Sequence, residues 1–170
     1  MVFAFNRSGL HGLEPLLRAF KPFAEQQPQS VLLLAGPTRY THLAWIAELG
    51  LRDRVRFVGK TDRLDLLMPS IDLAVYPTYY DPVGWGVREA IRLGRPVITT
   101  TSSDLADAVQ EAGGTVIPSP AQPQDLLEAL GKHHTAWQGG SADPTASAPL
   151  KMPQGQPLAQ LVKALLVGSA

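Results

Sequence analysis

Short β-branched or aliphatic runs alternate along this chain with longer stretches of helical periodicity. The apolar runs fall at Val2–Asn6, Ser30–Ala35, Val55–Val58, Leu73–Tyr76, Val97–Thr100 and Gly114–Ile117. Most are continuous rather than alternating, which suits strands buried on both faces of a parallel sheet. Between them the pattern predicts helices near Leu13–Gln26, Arg39–Leu49, Arg63–Met68, Trp85–Leu93, Asp104–Glu111 and Pro123–His134. In the first of these, Leu13, Leu16, Leu17 and Phe20 recur at helical spacing and form an apolar stripe. Gly94 and Pro96 close the fourth, because glycine tolerates a left-handed cap and proline cannot continue the hydrogen-bond ladder. The alternation of short runs and helices reads as βαβ units: an α/β domain with a parallel six-stranded sheet and helices on both faces.

With 170 residues, 45% of them hydrophobic, the chain has apolar material for one ordinary core. The reading assigns that core to residues 1–135 and a flexible linker to 136–156, where Gly, Ser, Ala, Pro, Thr and Gln dominate from Trp137 onward. An amphipathic helix is expected over 157–167, with Leu158, Leu161, Val162, Leu165 and Leu166 on one face. Lysine plus arginine equals aspartate plus glutamate at 15 each, so charge balance gives no reason to expect nucleic acid or an anionic membrane as a partner. Any phosphate must be held by local groups. Cysteine is absent, which excludes disulfides, thiolate metal sites and cysteine nucleophiles and fits a reducing compartment. No apolar run approaches the roughly 20 residues of a transmembrane segment, and no signal peptide is evident, so the chain reads as cytoplasmic. The first strand begins with no lead-in, and the chain reads as a truncated piece or a split gene product.

The stretch that carries chemistry runs from Tyr76 to Ala90. A strand ends at Pro77, a loop carries Asp81, Gly84 and Gly86 allow close backbone approach, and a helix opens with Glu89 about one turn in. In a parallel sheet this loop lies at the carboxyl end of a strand, where crevice ligands bind. The N–H groups of the helix start suit a diphosphate, and a carboxylate one turn in suits the two hydroxyls of a ribose.

This segment resembles the Glu-x7-Glu carboxylate pair of the retaining GT-B glycosyltransferases of family four, with Asp81 in place of the first Glu. The similarity continues through Val55-Arg56-Phe57-Val58-Gly59, Ile71-Asp72-Leu73, Pro77, Glu89-Ala90, Gly94-Arg95-Pro96-Val97-Ile98 and Gly113-Gly114, covering about residues 3–134. Tyr79-Tyr80-Asp81-Pro82 most resembles the branch containing lipopolysaccharide-core glucosyltransferases. The resemblance implies a Rossmann-like domain forming one half of a GT-B fold, the half that binds the nucleotide sugar. It implies that Glu89 holds the donor ribose and Asp81 the hydroxyls of the donor sugar. The backbone near Val83, Gly84, Trp85 and Gly86 would hold sugar and diphosphate. Gly9 and Gly36 would be loop glycines facing the ligand, and Gly59 with Lys60 the turn that meets the base. Arg7 and His11 would stand at the diphosphate. The implied substrate is a nucleoside-diphosphate sugar, in first place a UDP-sugar, with no cofactor and no metal. The implied partner is an N-terminal acceptor-binding domain, in cis or in trans.

The sequence departs from the family where His11 occupies a lysine position ahead of Gly12, and where Ser102-Ser103 and Asp107 replace a Gly-Gly and a Glu. An imidazole titrating near ~6.5 is only partly cationic at neutral pH. A non-catalytic nucleotide-binding or scaffold module, or the partner half of a split transferase, therefore stays open beside the enzyme reading. A sugar-nucleotide epimerase is a third and weaker alternative. Individual residues also have plainer readings. Asp81 before Pro82 is ordinary turn chemistry, Arg7 fits a surface arginine, Trp85 fits a loop-packing residue, and His133 and His134 fit a helix end better than a metal site.

Overall fold

The computed structural model describes residues 2–6, 12–59, 67–80 and 84–139. The apolar runs form strands β1 (Val2–Asn6), β2 (Val31–Ala35), β3 (Val55–Gly59), β4 (Leu73–Tyr76), β5 (Val97–Thr100) and β6 (Thr115–Ile117). The helices are α1 (Leu13–Gln26), α2 (Tyr40–Glu48), α3 (Trp85–Arg92), α4 (Ala106–Glu111) and α5 (Pro123–Gln138), with a 3₁₀ turn at Met68–Ser70. The sheet order is β3-β2-β1-β4-β5-β6, and every pairing is parallel.

Alternate residues of strands β2 to β6 feed different cores, because successive side chains leave opposite faces of the pleat. Leu32, Leu34, Leu73, Val75, Ile98 and Ile117 pack with Leu16, Leu17 and Phe20 of α1 and Leu126 and Leu130 of α5. Leu33, Ala35, Ala74, Tyr76 and Val97 face the other way, onto Val87 and Ala90 of α3 and Val109 of α4. Both faces are therefore covered, which is why the strand sequences are continuously apolar. The predicted stripe of α1 is the centre of the first core. Leu16, Leu17 and Phe20 are 0% exposed, and burying each stabilises the fold by about 2 kcal/mol. That packing holds α1 as a helix even though Pro22 lies inside it.

Several bounds move by one or two residues, and two elements differ in kind or by more than that. The helix expected to end at His134 runs to Gln138, so Trp137 belongs to α5 and not to a linker. The reason is packing: the Trp137 ring stacks on His134 at 6.0 Å, and His134 meets Phe23 of α1 edge-on at 5.7 Å. Met68, expected at the end of an α-helix, instead opens the 3₁₀ turn, with Pro69 in its first positions. Residues 60–66 and the expected helix at 157–167 lie outside the described residues.

His133 and His134 serve different neighbours. Nε2 of His133 lies 3.0 Å from the Thr115 hydroxyl of β6. Burial, with a smaller contribution from the adjacent Lys132 ammonium, pushes the His133 imidazole below its ordinary value and so favours its neutral form. The two rings do not converge, and among the described residues no group of three or more His, Cys, Asp or Glu is placed to hold a metal ion.

Strand β1 lies between β2, reached through α1, and β4, which begins the second half of the sheet. At such a switch point the loops leaving the two central strands turn to opposite faces and open a crevice at their carboxyl ends.

Candidate functional site

Two helices begin at that switch point. Helix α1 begins after Gly12 and α3 after Gly84, and a glycine in the capping position supplies no side-chain cap of its own. In α3 the first amide to find an intrahelical acceptor is that of Arg88, 2.8 Å from the Gly84 carbonyl. The N–H groups of Trp85, Gly86 and Val87 precede it and are directed along the helix axis toward the carboxyl rim of the sheet. This arrangement suits an anion.

Close packing fixes where the two helices begin. A side chain at Gly12 would run into the Pro77 carbonyl oxygen and come within 3.1 Å and 3.2 Å of the Pro77 ring carbons. The start of α1 is therefore pressed against the end of β4, at the switch point. Gly84 is left-handed, with φ 54°, and a Cβ there would lie 2.5 Å from Leu105. A Cβ at Gly86 would lie 2.6 Å from the Tyr76 hydroxyl. Glycine at these two positions thus lets α3 sit on Leu105 and Tyr76, an inward reason that a sequence pattern does not reveal.

A net of hydroxyls pins the strand end ahead of the Asp81 loop. The Thr100 hydroxyl donates to the Thr78 carbonyl at 2.6 Å. Ser102 Oγ lies 2.9 Å from the same carbonyl and 2.9 Å from Ser119 Oγ. Thr99 donates to the Tyr76 carbonyl at 3.2 Å. Ser102, one of the positions departing from the family pattern, thus ties β4, β5 and the loop after β6 together.

Glu89 stands one turn into α3 with its side chain 18% exposed. Arg92 grips it through two hydrogen bonds, Nε to Oε2 at 2.9 Å and Nη2 to Oε1 at 2.6 Å. The carboxylate pushes the Arg92 guanidinium further above its ordinary value. Arg92 escaped the sequence reading, although its i,i+3 spacing from Glu89 was the signal that could have found it. Trp85, the first residue of α3, is 52% exposed. Tyr79 and Tyr80 are exposed as well.

On the other side of the rim, the Gly36 amide donates to the Gly59 carbonyl at 2.6 Å. Both residues have positive φ, 118° and 79°. The structure therefore brings Gly84, Trp85, Gly86 and Glu89 together on α3, and Gly36 with Gly59 at the ends of β2 and β3. Arg7, Gly9, His11, Lys60, Asp81 and Val83 lie outside the described residues.

Comparison with known proteins agrees with this architecture. The family model described as Glycosyl transferases group 1 matches residues 3–134. The chain belongs to that family. Among relatives of this group 1 transferase domain, the lipopolysaccharide glucosyltransferase WaaG of Escherichia coli (strain K12) is 31% identical over 129 residues, 73% of this chain and 34% of WaaG. A crystal structure of WaaG superposes with a TM-score of 0.74 at 25% identity, covering 100% of this chain and 47% of that one. The C-terminal domain of a group 1 family protein (LpcC) from Francisella tularensis shares the fold, with a TM-score of 0.68 at 14% identity, covering 99% of this chain and 84% of that domain. Anabaena Alr3699/HepE, solved in complex with UDP-glucose, shares it at TM-score 0.68 and 20% identity, covering 98% of this chain and 48% of that one. The group 1 domain thus spans a third to a half of the WaaG chains it matches. No helix among the described residues is long and apolar enough to cross a membrane.

Proposed function

We propose that this chain is the donor-binding module of a retaining glycosyltransferase that moves a hexose from a nucleoside-diphosphate sugar to a glycan or lipid-linked acceptor. The observation that carries the reading is the switch point between β1 and β4, where two helices begin at glycines, with Glu89 one turn inside α3. In this reading the amides of Trp85, Gly86 and Val87 hold the diphosphate, and Glu89 accepts both hydrogen bonds of the ribose diol. Asp81 meets hydroxyls of the donor sugar. The rim at Gly36 and Gly59, with Lys60, meets the base. As the bond from sugar to diphosphate breaks, charge develops on the leaving phosphate, and the α3 amides with Arg7 and His11 stabilise it without reorganisation. No step draws on a metal. The complex of HepE with UDP-glucose supports uridine as the base to test first.

The acceptor-binding half would be supplied by further chain or by a separate protein, which is supported by the share of WaaG that this chain spans. His11 in a lysine position favours a second reading, a module that binds nucleotide but transfers nothing by itself. Titration calorimetry of the full chain with UDP and with uridine tests the first reading. UDP is expected to bind at least about tenfold more tightly, since the diphosphate carries the helix-start interactions, each charge-assisted hydrogen bond contributing about 1.5–3 kcal/mol. Equal affinity for the two, or no binding of UDP at millimolar concentration, overturns it. Transfer from UDP-glucose seen only after an acceptor half is added marks a split enzyme.

A further inference from the structure

The pairing of Glu89 with Arg92 bears on how the nucleotide is held, and the inference rests on the reading of Glu89 as the ribose ligand. A carboxylate offers about four lone-pair sites, two of which lie side by side along its outer edge. The fork of Arg92 uses both oxygens at once, through Nε and Nη2 at 2.9 Å and 2.6 Å, so it takes that outer edge. The lone pairs outside that fork point to opposite flanks of the carboxylate. Two hydroxyls on neighbouring ribose carbons lie too close together to reach both flanks. The diol and the guanidinium therefore need the same edge of Glu89.

We propose that Arg92 is a latch on Glu89 that the ribose must displace, so that it weakens the hold on the nucleotide and recaptures Glu89 when the product leaves. The surroundings make the exchange easy. The Arg92 side chain is 62% exposed while Glu89 is 18% exposed, so the arginine swings into water and the carboxylate stays in place. Side chains on a helix lean toward its N-terminus, which aims Glu89 at the rim and brings Arg92 to it from the turn behind. An i,i+3 pair whose arginine stands in water is closed roughly 60–85% of the time, and apparent affinity is reduced to the fraction of molecules in which Arg92 has left the edge.

The test is calorimetric titration of the full chain with UDP and with the dideoxy analogue that lacks both ribose hydroxyls. Arg92→Ala is expected to tighten UDP about two- to six-fold relative to the analogue. The ratio of the two affinities is the readout, because loss of a positive charge near the diphosphate acts on both ligands alike. Arg92→Lys keeps the charge but has a single point of contact and cannot span both oxygens. It is expected to raise the ratio as Arg92→Ala does. A ratio that stays the same in both variants overturns the latch. A ratio that falls in Arg92→Ala also overturns it, and makes Arg92 a residue that positions Glu89 for the ligand. Glu89→Ala separates the failures. If that variant binds UDP as tightly as the natural chain, the ribose role of Glu89 fails and takes the latch with it. If it binds weakly while the Arg92 variants show no change in ratio, the latch alone fails.

Discussion

Glu89→Ala will erase the thermal stabilisation that UDP gives the natural chain. A ligand at about a hundredfold excess over its Kd stabilises the folded state by about 2.7 kcal/mol. For a chain of this size that raises Tm by roughly 5–10 °C. Removing the carboxylate deletes two hydrogen bonds to a charged acceptor, each contributing about 1.5–3 kcal/mol, so Kd rises by about a hundredfold or more. At the same UDP concentration the stabilisation then falls to about 0.4 kcal/mol, a shift of roughly 1 °C. Each protein's own Tm without UDP is the baseline, so any change in the fold's stability on losing the carboxylate is separated from the loss of the UDP shift. Differential scanning fluorimetry of the two proteins with and without UDP reads the effect. An undiminished shift in the variant would remove Glu89 from the site.

Gly12→Ala will destabilise the fold by about 3 kcal/mol, with Tm lower by roughly 6–12 °C. The added methyl would collide with the Pro77 carbonyl oxygen and crowd the Pro77 ring. A backbone atom and a closed ring cannot turn aside as a flexible side chain can. Relief requires moving the start of α1, whose next turns carry the fully buried Leu16, Leu17 and Phe20, or the end of β4. Gly113→Ala is the control. Gly113 has φ 75° and open space around a Cβ, so that change reports conformational strain alone, about 1–2 kcal/mol. Equal losses in urea denaturation would show that Gly12 and Pro77 are not tightly packed. A larger loss at Gly12 is expected, together with weaker UDP binding, because the same close approach places the start of α1 at the end of β4.

Much of this architecture is legible in the sequence because one physical signal dominates it. Buried parallel strands must be apolar on both sides, and Leu73–Tyr76 and Val97–Thr100 fall at the predicted bounds. Helix α1 likewise falls at its predicted bounds, Leu13–Gln26, with the stripe of Leu13, Leu16, Leu17 and Phe20 buried. Elements set by tertiary packing were harder to read. Helix α5 continues to Gln138 because Trp137 stacks on His134, whereas the neighbouring composition already looks like a linker. At the site, Glu89 stood out by its distance from Asp81. Gly86 reads from the sequence as allowing close approach of a ligand, and the Tyr76 ring, ten residues earlier on β4, is a second reason for a glycine there that no local pattern shows. The hydroxyl net through Thr78, Thr100, Ser102 and Ser119 joins segments 17 to 24 residues apart, and no local pattern announces it.

The claim on which the rest stands is that the carboxyl rim between β1 and β4 grips a nucleoside diphosphate through the start of α3. Backbone amide spectra of the isotope-labelled chain, recorded as UDP is added, test it most directly. The account predicts that the amides of Trp85, Gly86, Val87 and Glu89 move most, with Gly59 following, while Val31 and Val97 at the opposite ends of their strands stay still. Binding of UDP that leaves the amides of Trp85 to Glu89 unmoved would contradict it.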